Sequence, residues 1–477
     1  MLTTDLPAAV SRHRPAWRAA VSRHRVFFVV LAFAAAIRVI TMLGYPPAQL
    51  YWYDSFTYLE TAIRMTPSGA FHPIGYPLLL RLLWPFHSVQ LVAAVQHAMG
   101  LAIGVLVYAL LRRWSLPGWA AALATTPQLL GAAFLRLEHA VLSDTLFMLL
   151  VVAGVTVLMW SPRPSARAAA AGGLLFALAA LTRTIALPLL LLVLLVLAVR
   201  RAGWRPLLAL ALAAALPLAG YAAWFRAEHG RFALSGADGV ALWARTMTFA
   251  DCSVIKPPPD LAPLCPNGTV LDAASEYVWA PTASLNLLPG GRYANNDLAR
   301  DFAIRAILAQ PLDYLRDVAR DTSIAFAWTP IPHPERVTPA YGFSERPSSF
   351  PDQPLIEKMR REYDPGIRPL RPVPPYSTFL VAYQYPTHLR GPFLAALLLI
   401  GAAGAVLPRR TALLPWAVAM GLLIGPVAVL DFDHRYVLPV YPLASLAAAL
   451  AMHGWMAARR RVRRQAMGEA SWPSGSP

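Results

Sequence analysis

The chain has 477 residues, of which 57% are hydrophobic and 14% charged, against about 25% charged residues in an average soluble domain. Long apolar stretches recur near the roughly 20-residue length that crosses a bilayer, so the composition excludes an ordinary soluble protein and indicates a membrane protein. The formal charge of +17 requires no nucleic-acid partner, because it is concentrated in predicted cytoplasmic ends that meet anionic lipid headgroups.

The N-terminal segment predicts a membrane anchor that is retained. Its arginines, from Arg12 to Arg25, precede an apolar run that is too long for a signal peptide and lacks a small-residue cleavage site. Including this run, the apolar segments that predict transmembrane helices are 26–44, 89–111, 117–134, 143–160, 168–182, 184–199, 206–225, 389–407, 412–430 and 436–456. The positive-inside rule then places both termini in the cytoplasm. We therefore expect an all-α polytopic protein of the cell membrane with about ten transmembrane helices.

The predicted spans divide the chain into three parts. Residues 1–225 form an N-terminal transmembrane module whose first outer loop is 45–88, and residues 389–477 carry the last helices and a basic cytoplasmic tail. Between them, the insertion 226–388 holds 17 of the 25 acidic residues and 21 of the 44 prolines. This composition predicts one mixed, loop-rich extracytoplasmic domain.

Both cysteines lie in this insertion. Cys252 and Cys265 are on the predicted outer side, where thiols oxidise, so we expect a disulfide. A metal site is the weaker alternative, because structural zinc usually takes four ligands.

The acidic residues outside the insertion gather on one face. Most of them fall at predicted outer-face turns, and these are Asp54, Glu60, Glu138, Asp144, Asp431 and Asp433. Carboxylates at a membrane boundary are costly and indicate a functional site by default. The pattern therefore predicts a site at the outer boundary of the membrane.

The first outer loop contains YWYDSFTYLE, residues 51–60, directly after the first span. Asp54 suits either a helix N-cap or a catalytic base. Glu60 lies about 240° further round a helix, so Tyr58 shares a face with Asp54 while Glu60 is expected to be solvated. His72, in HPIGYPLLL, suits either a metal ligand or a polar interface residue.

The second outer turn contains RLEHAVLSDTLF. Ser143 suits an N-cap and Asp144 suits the first turn of the next helix, while a supporting acid is the other role open to Asp144. Glu138 and His139 either bind a metal together with Asp54 or are exposed.

Two arginines and a tyrosine complete the outer-face set. Arg183, in LTRT, either snorkels beside the bilayer or binds phosphate, whose oxygens match a guanidinium fork. Arg435 and Tyr436, in DFDHRYVLPVYP, belong either to an interfacial turn with an Asp433–Arg435 ion pair or to the same phosphate site.

In this order, the segments resemble the GT-C superfamily of integral-membrane glycosyltransferases, nearest the branch of protein O-mannosyltransferases and lipid A aminoarabinose transferases. The resemblance is carried by the acid that opens the first outer loop, by HPIGYPLLL, by the Ser143–Asp144 pair, and by LTR and RYVLPVYP. It implies a polyprenyl-phosphate-linked sugar donor, an acceptor outside the membrane, and Asp54 as the catalytic residue. The mannosyltransferases have two adjacent acids where this chain has Asp54–Ser55.

We therefore expect an inverting glycosyltransferase that moves a hexosyl or pentosyl group from a polyprenyl-phosphate donor to a hydroxyl of a glycan, lipid or protein. Asp54 would take the acceptor proton. Asp144, Glu138 and His72 would support it or bind one divalent metal ion. Arg183, Arg435 and Tyr436 would hold the donor phosphate.

The sequence also bears on nucleotide cofactors, on membrane lipids as partners, and on two alternative functions. No phosphate-binding loop or dinucleotide fingerprint occurs, so no nucleotide cofactor is expected, and membrane lipids are the remaining partner. One alternative is a transporter or flippase for lipid-linked sugars, which would need polar groups and broken helices near the bilayer midplane. The other is a non-catalytic envelope-assembly protein that presents the insertion.

Overall fold

The computed structural model of the chain describes residues 16–337, 342–348, 350, 352–406 and 410–469. The predicted cytoplasmic arginines Arg12, Arg14 and Arg409 lie outside these described residues. The described part is helical, and its pairings between extended segments are two isolated bridges, Gln49–Ala140 and Ser348–Leu370. The mixed character predicted for the insertion is therefore wrong over the residues described, because proline-rich loops and short helices occur where strands would need unbroken ladders.

The helices are numbered here in chain order. Before the insertion they are α1 Ala16–Gly44, α2 Trp52–Arg64, α3 Gly75–Leu83, α4 Val89–Arg113, α5 Gly118–Leu130, α6 Ala132–His139, α7 Asp144–Met159, α8 Ala166–Thr182, α9 Ala186–Val199 and α10 Trp204–His229. In the insertion they are α11 Asp238–Thr246, α12 Cys252–Ile255, α13 Ala274–Trp279, α14 Gly291–Ala294, α15 Asn296–Ala309, α16 Pro311–Ser323, α17 Gln353–Glu362 and α18 Tyr376–Tyr383. After it they are α19 Gly391–Val406, α20 Leu413–Val429, α21 His434–Val437 and α22 Val440–Glu469.

Every segment predicted to span the membrane is mostly helical over its described residues, although 117–134 and 436–456 are each divided between two helices. Among the described residues, four helical stretches are long and apolar enough to cross a bilayer, namely His24–Gly44, Val89–Arg113, Trp204–His229 and His434–Arg459. The other apolar helices, α7, α8, α9, α19 and α20, have 14 to 17 residues. The structure thus supports a helical membrane protein, while the count of ten spans and the side on which each terminus lies stay predictions.

The segment predicted as one span at 117–134 is divided. α5 ends at Leu130 and α6 begins at Ala132, with Gly131 in an extended conformation between them. Pro127 lies in the last turn of α5, and a proline removes a hydrogen-bond donor and disfavours continued helix. α6 therefore turns away as a separate short helix that leads to the candidate site.

The membrane helices pack closely along small residues. α8 packs along both α7 and α10, and α22 packs along α19 and α20. A Cβ added at Gly173 of α8 would collide with the backbone of Leu210 in α10. Because only glycine permits this approach, the contact is of the small-residue type by which membrane helices associate.

One part of the insertion has its own hydrophobic core. Residues between 237 and 306 form a separate buried cluster around Trp243 and Phe302. Cys252 and Cys265 form a disulfide beside it, with Cα atoms 6.1 Å apart. Phe71 of the first outer loop and Leu430 also pack against this cluster, so this part of the insertion has its own core and also contacts the transmembrane module.

The rest of the insertion packs against the transmembrane module instead. Lys358 of α17 binds Glu60 of α2 at 2.8 Å, so Glu60 is ion-paired where the sequence predicts a solvated acid. The hydroxyl of Tyr363 donates to the carbonyl of Leu80, and Trp84 Nε1 donates to the carbonyl of Glu362. These contacts hold α17 over the first outer loop.

Candidate active site

The first outer loop is fixed against the segment that precedes α7. Gln49 N donates to the carbonyl of His139 at 3.0 Å, and Val141 N donates to the carbonyl of Gln49 at 2.9 Å. The Ser55 hydroxyl then donates to the carbonyl of Val141 at 2.8 Å. Since Ser55 follows Asp54 directly, these bonds set the position of the Asp54 carboxylate.

Asp54 lies in the first turn of α2 and is not its N-cap. The N-cap position is Tyr51, which has no side-chain capping bond. Trp52, the first helical residue, has φ +45°, a conformation that is an outlier for a bulky side chain. The carboxylate of Asp54 is therefore free of the capping role that the sequence left open.

Asp54 contacts two cationic or protonatable side chains. Its Oδ2 accepts a hydrogen bond from Arg435 Nη1 at 3.0 Å, and its Oδ1 lies 3.4 Å from His72 Nε2. Burial works to raise the pKa of Asp54, but Arg435 and His72 together hold this pKa well below its ordinary value. Asp54 is consequently an ionised carboxylate at neutral pH.

His72 is oriented by a chain of hydrogen bonds. Its Nδ1 lies 3.1 Å from the hydroxyl of Tyr58, which lies 2.9 Å from the hydroxyl of Ser143. The turn that carries His72 approaches α8 closely, because a Cβ added at Gly75 would lie only 2.6 Å from the carbonyl oxygen of Leu181. The glycine of HPIGYPLLL thus brings His72 to the site.

A second acid–base pair lies beside the first. Arg183 Nη1 donates to Asp144 Oδ1 at 2.6 Å, where α8 ends and α7 begins. Asp144 is almost fully buried, and its Oδ2 has no hydrogen-bond partner among the described residues. A buried carboxylate oxygen of this kind is costly to leave unpaired, so it offers an acceptor to a bound group.

The ring of Tyr436 joins the two arginines. The guanidinium carbon of Arg183 lies 4.8 Å from the ring centre, and that of Arg435 lies 5.2 Å from it. Arg435 also lies 5.2 Å from the ring centre of Tyr51. Asp433 is the N-cap of α21 and accepts from Arg435 N at 2.9 Å, while Arg435 Nε lies 3.2 Å from its Oδ2 without a directed hydrogen bond.

These residues line one cavity of about 900 Å³. Asp54, His72, Asp144, Arg183 and Arg435 all contribute to its wall. Apolar residues of the membrane helices form another part of the wall, and the insertion contributes the rest. The apolar part of the wall includes Leu187, Pro188, Leu422 and Pro426 of the membrane helices, and the part from the insertion includes Glu276, Trp279, His333 and Arg336. The cavity therefore has an apolar part and a charged part.

The structure does not bring Glu138 into this cavity. Glu138 is fully buried outside this cavity. Its Oε1 accepts a hydrogen bond from Arg38 Nη2 at 2.7 Å, and its Oε2 lies 2.9 Å from His97 Nδ1. His139 lies beyond His97, at 3.2 Å, with its Nε2 2.6 Å from the carbonyl of Tyr45. The predicted alternatives for Glu138, a metal ligand beside Asp54 or an exposed acid, are thus both wrong, because Arg38 and His97 already satisfy this carboxylate.

The residues that could hold a divalent metal differ from those predicted. Asp54 and Asp144 each bind an arginine already, so a metal ion there would have to displace Arg435 or Arg183. Within the described residues, one group offers three ligand atoms within 4.8 Å of each other: Asp321, His333 and Asp431. Two guanidinium groups, from Arg245 and Arg320, bind Asp321 in the structure. A cation at this group would therefore lie next to fixed positive charge, which fits a divalent ion poorly.

Several site residues escaped the sequence argument. Tyr51 is not among the residues predicted for the site, yet its ring packs against Arg435. His333 was not singled out, and it binds Asp431 at 2.7 Å from across the insertion. Asp431 could have been found because it is one of the outer-face acids, but no signal in the sequence pairs it with His333.

Comparison with known proteins gives remote likenesses only. No protein-family model and no curated protein matches the chain. Among solved structures, it is similar to the protein O-mannosyltransferase Pmt1–Pmt2 complex of S. cerevisiae bound to the sugar donor, at 15% identity and TM-score 0.34, covering 54% of this chain and 40% of that one. It is also similar to the archaeal oligosaccharyltransferase AglB from Archaeoglobus fulgidus in complex with an inhibitory peptide and a dolichol-phosphate, at 13% identity and TM-score 0.42, covering 94% and 52%.

A third similar structure is ArnT from Cupriavidus metallidurans in the apo state, at 14% identity and TM-score 0.37, covering 91% of this chain and 77% of that one. The chain spans about half the length or less of the first two structures. At TM-scores and identities this low, the likeness itself assigns no activity, and the chemistry rests on the residues of the cavity.

Proposed function

We propose that the protein is a glycosyltransferase that moves a sugar from a polyprenyl-phosphate donor to an acceptor hydroxyl at the outer face of the membrane. The observation that supports this proposal most is the placement of an ionised carboxylate, Asp54, and two arginines, Arg183 and Arg435, in one cavity with an apolar extension. Such a cavity can hold a sugar phosphate at its charged end and a lipid chain at its apolar end.

Asp54 is the base of the proposed reaction. A base takes the proton of the acceptor hydroxyl as the new glycosidic bond forms, and a carboxylate within hydrogen-bond reach can do this. Attack from the face opposite the leaving phosphate inverts the configuration at the anomeric carbon. One base with cationic phosphate ligands differs from the two carboxylates that flank the bond in most glycosidases.

The arginines stabilise the leaving group. Cleavage of the donor bond leaves charge on the phosphate, which fixed guanidinium groups stabilise. Arg435 is shared, because it binds Asp54 before the phosphate arrives. When a phosphate draws Arg435 to itself, Asp54 loses part of the charge that depresses its pKa and becomes a stronger base.

Asp144 supports the donor side. It orients Arg183 through Oδ1, and its buried Oδ2 has no hydrogen-bond partner among the described residues. His72 and Tyr58 hold Asp54 from the other side. We assign the insertion 226–388 the role of covering the site and contacting the acceptor, in keeping with its share of the cavity wall.

The test is turnover by the purified protein in detergent or lipid vesicles. Supplied with a polyprenyl-phosphate sugar and candidate acceptors, it should release polyprenyl phosphate, and the product should carry the inverted anomeric linkage. Movement of the intact lipid-linked sugar across the membrane without bond cleavage would instead support a flippase. If neither release nor movement is observed, the remaining candidate is the non-catalytic envelope-assembly role.

A further inference from the structure

A side pocket lies next to the active-site cavity and shares Gln49 and Arg136 with it. It has a volume of about 220 Å³. Its wall comes from the first outer loop, from α6 and from the insertion segment 342–348. The residues that line it are Tyr45, Gln49, Arg136, His139, Gly342, Phe343, Ser344, Arg346, Pro347, Ser348 and Leu370.

The charge of this side pocket is positive. Among the described residues that line it there are two arginines and no aspartate or glutamate. Glu345 lies on the same segment near Tyr45 but is not part of the wall. His139 contributes no free base, because one ring nitrogen faces the carbonyl of Tyr45 and the other faces His97.

Arg136 differs from four other arginines of low exposure. Each of those binds a carboxylate, in the pairs Arg38–Glu138, Arg183–Asp144, Arg245–Asp317 and Arg435–Asp54. Arg136 makes no ion pair with any residue that the structure describes. Its single side-chain hydrogen bond there runs from Nε to Gln49 Oε1 at 3.3 Å. Its two terminal nitrogens therefore present a guanidinium fork that has no partner among the residues described by the structure.

The neighbouring charges strengthen the argument for an anion. Arg183 is neutralised by Asp144, and Arg435 faces both Asp54 and Asp433. The part of the cavity around Asp54 is thus close to neutral or negative, while Arg136 supplies an uncompensated positive charge beside it. A partly buried guanidinium in that position is stabilised by a bound oxyanion, which it can hold through two parallel hydrogen bonds.

We infer that the side pocket is a binding site for an oxyanion group of a substrate, a phosphate or a carboxylate, with Arg136 as its principal ligand. Three exposed residues, Ser344, Arg346 and Ser348, also line the pocket. That the anion belongs to a substrate rests on the proposed function, whereas the binding of an anion in the side pocket does not. The group comes either from the acceptor, held in the side pocket, or from the lipid donor, whose phosphate would reach Arg136 from the main cavity.

The test is equilibrium dialysis of radiolabelled inorganic phosphate against the full chain in a maltoside detergent. The wild type should bind phosphate saturably, and Arg136→Gln should weaken binding by at least about tenfold, the effect of losing a charge-assisted bond. Arg136→Lys, which keeps the charge without the fork, should lie between them. Arg64→Gln is the matched control, since Arg64 is an exposed arginine of α2 outside both cavities.

A second arm separates the two sources of the anion. If saturating polyprenyl phosphate leaves the Arg136-dependent binding intact, the pocket is reserved for an acidic acceptor. If the lipid displaces the bound phosphate, its own phosphate occupies Arg136. Equal binding by wild type and Arg136→Gln, or no saturable binding by the wild type, would overturn the inference. The assay needs no turnover, so a failure of the glycosyltransferase proposal would be seen separately.

Discussion

At the scale of single residues, the two oxygens of Asp54 have different partners. Oδ2 binds Arg435, the side chain that the donor phosphate would also attract, and Oδ1 faces His72. His72 is in turn held by the hydroxyl of Tyr58. The direction of the carboxylate thus depends on residues that themselves never need to touch a sugar.

Tyr58→Phe tests this dependence. The change removes the hydroxyl that bonds to His72 and Ser143, so we expect kcat to fall by about tenfold, with a stability loss of about 1 kcal/mol. The KM for the donor should change less than kcat, because the hydroxyl of Tyr58 bonds to His72 and Ser143 and not to Arg183 or Arg435 among the described residues. Steady-state kinetics and thermal unfolding measure both effects. Tyr385→Phe is the control, since Tyr385 is exposed and lines neither cavity. An unaltered kcat in Tyr58→Phe would contradict the positioning role.

The sequence located much of this residue set. The scarcity of acids outside the insertion predicted Asp54 and Asp144, and helix geometry separated Glu60 from Asp54 on α2. Glu138 was misassigned, because the sequence cannot show that Arg38, one hundred residues earlier in the chain, binds it. Partners at such separations depend on tertiary packing, which local patterns do not encode.

At the scale of helices, a buried ionic cluster joins three elements of the transmembrane module. Arg38 comes from α1, His97 from α4 and Glu138 from α6. Gly100 of α4 makes room for the carboxylate, since a Cβ there would collide with Glu138. Charges buried in this way are stabilising only while each keeps its partner.

Glu138→Gln should therefore destabilise the protein strongly. It leaves Arg38 buried without a counter-charge, which costs about 3–5 kcal/mol. The free energy of unfolding in detergent, measured by denaturant titration, checks the value. Glu228→Gln is the control, because Glu228 is exposed at the end of α10. A loss below about 1 kcal/mol in Glu138→Gln would show that the cluster carries little of the stability.

Helix positions were largely predictable at this scale. Every predicted span is mostly helical over its described residues, because long apolar runs leave the backbone few other ways to satisfy its hydrogen bonds in lipid. The break between α5 and α6 was missed, although Pro127 and Gly131 were signals for it. It matters because α6 carries both Arg136 and Glu138.

At the scale of the whole molecule, the insertion and the membrane helices meet at the cavity. His333 of the insertion binds Asp431, which lies just before α21. The hydrogen bond to Asp431 raises the pKa of His333 above its ordinary 6.5 despite the opposing effect of burial. Burial works to raise the pKa of Asp431, but the bond to His333 lowers it, and the pKa of Asp431 lies below its ordinary value of 3.8 as a result.

The stability of this contact should depend on pH. The contribution of His333 is present below pH 6.5 and is lost as pH rises through its higher folded pKa, while that of Asp431 is lost as pH falls below 3.8. When the pH is raised from about 6 to about 9, the midpoint temperature of thermal unfolding should therefore decrease more in the wild type than in His333→Gln. Equal slopes in the two proteins would contradict this reading of the contact.

The arrangement of the insertion was the least predictable feature. Composition predicted a loop-rich segment without giving its helices, and the two cysteines pair as expected. The sequence treated 226–388 as one domain, whereas part of it has its own core and part packs on α1 and α2. Such docking is decided by surfaces distant in the chain, so composition alone could not indicate it.

The central claim is that Asp54 is the base of a sugar transfer from a lipid phosphate. The most direct measurement compares release of polyprenyl phosphate by the wild type, Asp54→Asn and Glu60→Gln. Glu60 is the matched control, an acid of the same helix that binds Lys358 outside the cavity. We expect Asp54→Asn to lose at least about a hundredfold in turnover and Glu60→Gln to match the wild type. Full turnover by a correctly folded Asp54→Asn protein would contradict the account.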